Sequence, residues 1–117
     1  MNTGCEAVET AVKLARRWAY ITKGVPDNQA KVIWCNKNFW GRSIAACASS
    51  DAPARYANFG PYGDLGFELI DYNDTTQLEE AFQDPNVGGF VLEPIQGEGG
   101  VVIPHDGYLQ KVRDLCD

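Results

Sequence analysis

Three short, nearly continuous apolar runs, 30–35, 67–72 and 87–92, constrain this chain more than anything else in it. A run that is apolar at almost every position reads as a strand covered on both faces, as in sheets sandwiched between helices. The first is rich in branched and aromatic residues. The third carries Gly88 and Gly89, which mark the close approach of another backbone. Segments with helical spacing lie between and around the runs. That alternation predicts an α/β fold with a mostly parallel sheet flanked by helices.

The helical segments have readable ends. Thr3 and Glu6 form a capping box, and Val8, Ala11, Val12, Ala15, Trp18 and Ala19 follow at helical spacing. With Gly24 and Pro26 as stops, a helix is expected over 4–23, one stripe facing a core. Residues 43–48 suit a short helix, and 49–66 read as a long loop. Asn73 and Asp74 cap a helix carrying Leu78, Ala81 and Phe82, closed by Asp84 and Pro85. A last helix over 108–116 places Leu109, Val112 and Leu115 inward. Three strands buried on both faces make a poor sheet alone. Residues 1–117 are therefore expected to be a single, incomplete segment of a larger domain.

Charge and cysteine usage remove several functions. Ten Lys+Arg against sixteen Asp+Glu give a net charge of −6, and such a field repels a phosphate backbone, so no nucleic acid is expected as a partner. No apolar run approaches the roughly 18 residues of a membrane span, and none has the layout of a signal peptide, so no membrane partner is expected. Cys5, Cys35, Cys47 and Cys116 are far apart, and the one histidine, His105, lies beside Pro104. No metal site is expected, and the thiols are expected to be reduced.

Three places could carry chemistry. At Asn2–Thr3–Gly4–Cys5, free amides of a helix start could hold a phosphate or carboxylate; the alternative is an ordinary cap whose positive end Glu6 uses up. In Phe39–Trp40–Gly41–Arg42, after a strand's C-terminal end, a ring could stack on a planar cofactor and Arg42 could grip a carboxylate. Core cover and a surface ion pair are the alternatives there. Glu93 and Glu98 could move protons or hold a basic group, or simply be solvated.

Taken together and in order, residues 2–7, Glu9–Thr10–Ala11, Lys13–Leu14–Ala15–Arg16, 38–42, Gly60–Pro61, Tyr72–Asn73–Asp74 and 92–101 resemble the class III pyridoxal-phosphate aminotransferases, essentially end to end. The likeness is to the ornithine-using branch, since Trp40 stands where acetylornithine enzymes usually carry His and Thr3 where they usually carry Ser. It implies part of the large domain of a fold-type I aminotransferase. The implied cofactor is pyridoxal 5'-phosphate, contacted by Gly4, Cys5, Phe39 and Glu93. Cys5 departs from the small aliphatic residue common there, which a backbone contact tolerates. Arg42 is implied to bind the α-carboxylate of ornithine, and Glu98 to mask a second substrate arginine until 2-oxoglutarate enters.

The same resemblance implies a homodimer, in the cytoplasm or alternatively the mitochondrial matrix. Aminotransfer also needs a Schiff-base lysine and an acid at the pyridine nitrogen. None of Lys13, Lys23, Lys31, Lys37 and Lys111 matches that motif, so no catalytic residue is expected here and the chain alone is expected to be inactive. Transamination of acetylornithine or 4-aminobutyrate, and a non-catalytic binding fragment, are the alternatives.

Overall fold

A computed structural model describes residues 1–117. Three parallel strands, β1 (Lys31–Cys35), β2 (Phe67–Ile70) and β3 (Val87–Val91), lie in the order β2-β1-β3. Val32 to Cys35 align with Phe67 to Ile70 on one side of β1, and Val32 to Trp34 with Gly89 to Val91 on the other. Helix α1 (Gly4–Trp18) covers one face; α4 (Thr75–Ala81) and α5 (Tyr108–Cys116) cover the other. Two short helices, α2 (Ile44–Ala48) and α3 (Pro53–Tyr56), lie between β1 and β2. No helix is long and apolar enough to cross a membrane. The predicted α/β class and parallel sheet are what the structure contains.

Side-chain alternation makes β1 the shared wall of two cores. Val32 and Trp34 pack with Val12 of α1, while Ile33 packs with Ile70, Leu78, Val87, Tyr108 and Val112 on the opposite face. Burial on that face also pushes the Cys35 thiol up to about 12. The glycines expected to admit another backbone do so. A Cβ on Gly88 would lie 2.8 Å from that of Ala19, and one on Gly89 would lie 3.2 Å from that of Ala15.

The helix expected over 4–23 is present, with its last turn, Ala19–Lys23, widened to π geometry and closed by Gly24 at φ 78°. Its buried stripe is narrower than the spacing suggested. Val8, Val12, Ala15 and Ala19 face the sheet, but Ala11 and Trp18 lie exposed, as does Leu109 of α5. Ala11 and Trp18 sit about 70° and about 90° around the helix from the stripe's centre, at about 100° per residue. A three-stranded sheet does not reach that far. Trp18 therefore joins Leu14 and Ile21 in an uncovered apolar sector. The expected loop over 49–66 also holds α3, started by Pro53, whose fixed φ suits a first helical turn.

An ion cluster closes the strand starts: the Lys31 ammonium lies 2.5 Å from Glu68 and 2.7 Å from Asp84. Its hydrogen bond holds the Asp84 carboxyl below the ordinary 3.8. The stability this contributes is present above that value and is lost as pH falls through the lower folded value. Lys31→Met is expected to flatten the acid limb of the pH–stability profile below about pH 4, read by urea unfolding at stepped pH. Gly88→Val is expected to lower unfolding stability by about 1–3 kcal/mol, because the added carbons meet Ala19 and the Ala15 carbonyl.

Candidate active site

The site forms where the ends of β1 and β3 meet the start of α1. At that start, Thr3 Oγ accepts from the Glu6 amide at 3.1 Å, and the Glu6 carboxylate accepts from the amides of Asn2 and Thr3. The cap thus consumes the amides on either side of the first turn. It leaves those of Gly4 and Cys5 with no acceptor. Nothing lies within 4 Å of where a Gly4 Cβ would stand, so the helix start is open at Gly4. The Glu6 carboxylate accepts from neither of these two donors.

The loop after β1 packs directly against that helix start. A Cβ on Gly41 would come 2.7 Å from Cys5 Sγ, and the Cys5 thiol donates to Ser43 Oγ at 3.5 Å. Ser43 in turn caps α2 and donates to Glu9 at 3.2 Å. Trp40 turns inward, stacked on Trp34 with centroids 5.1 Å apart, and its ring N–H donates to Ser49 Oγ. Core cover is therefore the role of Trp40. Phe39 is half-buried.

The loop after β3 is fastened to the same place. Glu93 Oε1 accepts from the Phe39 amide at 2.9 Å, and its other oxygen accepts from Gly97 at 3.4 Å. Tyr72 donates to the carbonyls of Glu93 and Pro94. Buried Gln96 donates to the Asn36 carbonyl at 2.7 Å, and a Cβ on Gly99 would lie 2.4 Å from the Lys37 carbonyl oxygen. Glu93 is thus engaged with backbone amides, whereas Glu98 is exposed with one cation near it, Arg55 at 4.0 Å.

Arg42 is exposed and has no acidic partner, so the surface ion pair considered for it is not formed. With Ile44, Cys47, Arg55, Phe59 and Tyr62 it lines a cavity of about 660 Å³. Arg55 is the residue that sequence reasoning missed. Its guanidinium lies 4.8 Å from the centroid of the Phe39 ring and donates to the Asn38 carbonyl at 3.0 Å. The short helix that carries it lies in the segment expected to be a loop, and nothing in the spacing pointed to its partners. All four cysteines are free, and no three His, Cys, Asp or Glu side chains converge on a point that could hold a metal ion.

Two free amides, a ring and an unpaired guanidinium lie on elements packed against one another, while the cavity beside Arg42 is not lined by Gly4, Cys5, Phe39 or Glu93. The family described as Aminotransferase class-III matches residues 1–117. The chain belongs to the class-III aminotransferases. Among relatives, it is 59% identical to an ornithine aminotransferase, named mitochondrial, from Drosophila ananassae, over 99% of this chain and 27% of that protein. The corresponding mitochondrial enzyme of Rattus norvegicus is 56% identical over 99% of this chain and 26% of its own length. A crystal structure of the ornithine aminotransferase from Toxoplasma gondii superposes with a TM-score of 0.96, at 59% identity, covering 99% of this chain and 27% of that one. The chain spans about a quarter of the length of these class-III relatives.

The junction between helix start and loop is directly testable. Gly41→Ala is expected to destabilise the protein by about 1–3 kcal/mol, since the new methyl meets Cys5 Sγ and the backbone sits at φ 147°. Adding Cys5→Ala is expected to restore part of that loss, measured by urea unfolding of both variants.

Proposed function

We propose that this chain is a segment of the large, cofactor-binding domain of an enzyme that moves the δ-amino group of L-ornithine to 2-oxoglutarate, yielding glutamate-5-semialdehyde and glutamate. The observation that carries this reading is the pair of unpartnered Gly4 and Cys5 amides held, through Cys5 and Gly41, beside the loop that bears Phe39 and Arg42. The ornithine aminotransferase names of its relatives support the choice of substrates.

The residues fit pyridoxal 5'-phosphate chemically. Gly4 and Cys5 donate to its phosphate at the positive end of α1. Phe39 would stack on its ring, and Glu93, which holds the Phe39 amide, would sit at its flank. The bound cofactor supplies the aldehyde that carries the amino group and a ring that takes up electrons. Arg42 donates to the α-carboxylate of ornithine, which leaves the far amine to enter first. Glu98 holds a cationic group that the second carboxylate of 2-oxoglutarate also needs.

None of the five lysines is assigned the bond to the cofactor, since Lys13 and Lys37 do not match the Schiff-base motif and the other three have partners. Lys31 is bound to Glu68 and Asp84, Lys111 to Glu79, and Lys23 to the Val87 carbonyl. The active form is a homodimer; the uncovered sector of Leu14, Trp18 and Ile21 supports burial against further protein. The names of the fly and rat relatives support a mitochondrial location over the cytoplasm.

Full-length enzyme given ornithine and 2-oxoglutarate is expected to release the semialdehyde, detected by trapping with an aromatic amino-aldehyde, while residues 1–117 alone give no turnover. Arg42→Met is expected to raise the KM for ornithine roughly ten- to a hundredfold, the scale of a lost charge-assisted contact. Turnover of N-acetylornithine in place of ornithine overturns the substrate assignment.

A further inference from the structure

Arg55 touches three elements of the site and has no role in the proposal above. It sits on α3, outside both strand-end loops, yet its guanidinium lies over the Phe39 ring at 4.8 Å, donates to the Asn38 carbonyl at 3.0 Å and approaches Glu98 at 4.0 Å. Its side chain is 24% exposed, against 57% for Glu98. A planar cation over a ring face is attracted by the ring quadrupole, the more so where water is partly excluded. The hydrogen bond to Asn38, the residue before Phe39, fixes where the guanidinium can lie, and Asn38 is itself buried and anchored to the carbonyls of Cys35 and Ser49. One side chain therefore touches the ring, the backbone just before it and the Glu98 loop.

We propose that Arg55 is a positioning residue for cofactor binding, acting through Phe39. Arg55 covers one face of the Phe39 ring and leaves the other to the cofactor, and its planar guanidinium, rather than its charge alone, holds the ring at a fixed angle. The inference rests on the reading of Phe39 as the cofactor's stacking partner.

The test is a double-mutant cycle in the full-length enzyme with Arg55→Met, Phe39→Leu and both together. Each apoenzyme is titrated with pyridoxal 5'-phosphate by fluorescence quenching, and the visible circular dichroism of the bound cofactor is recorded. Arg55→Met is expected to weaken binding about two- to fivefold, the scale of a partly exposed cation–π contact, and to reduce the cofactor's ellipticity. In the Phe39→Leu background the same change is expected to have no further effect. Arg55→Lys, which keeps the charge and stem, is expected to recover less than half of the loss, and it replaces Arg55→Met in the cycle if the methionine variant does not fold. Wild-type affinity and ellipticity in Arg55→Met, or effects that add across the cycle, overturn the proposal. Failure of wild-type enzyme to bind the cofactor, or of Phe39→Leu to weaken it, instead overturns the reading of Phe39.

Discussion

Burial of β1 on both faces is the constraint on which the rest of the molecule depends. Val32, Ile33, Trp34 and Cys35 are all sealed from solvent, so neither helical layer can shift without opening a core on its own side. Because β1 is central and parallel to both neighbours, the C-terminal ends of all three strands point the same way. The loops that follow β1 and β3 therefore emerge side by side, where open α/β sheets place their ligands. Fold and site share a single origin.

Electrostatics divides the labour at the helix start. A capping carboxylate offsets a helix's positive end, and here Glu6 does so by reaching back to Asn2 and Thr3, outside the first turn. The local chemistry that secures the helix is thus compatible with a second anion on the donors just inside it. The same economy is visible at Glu93, whose carboxylate satisfies amides of two loops and so fixes the site. Basic side chains in the site, Arg42 and Arg55, come from the long connection between β1 and β2, not from the strands.

Much of this was legible in the residues because the signals were local. Thr3 and Glu6, Asp74 before its helix, and the glycine pair in β3 each act over a few positions, and each does in three dimensions what the pattern implied. What stayed hidden needed a partner distant in the chain. Trp40 could be a ligand ring or core cover until Trp34 was seen beneath it. Ala11, Trp18 and Leu109 satisfied helical spacing, but spacing says nothing about how wide the opposing sheet is. Arg55 reads as one more surface cation in a loop, and its importance comes from the ring and carboxylate that tertiary folding brings to it.

The contact between Gly99 and the Lys37 carbonyl has a further consequence. With no room for even a methyl group between them, and with Gln96 tied to Asn36, the loops after β1 and β3 form one rigid body and not two independent flaps. Binding there freezes out little loop motion, which removes one of the costs that otherwise subtract from affinity. Whatever selectivity the site has is consequently that of a fixed mould, set when the chain folds rather than when the guest enters.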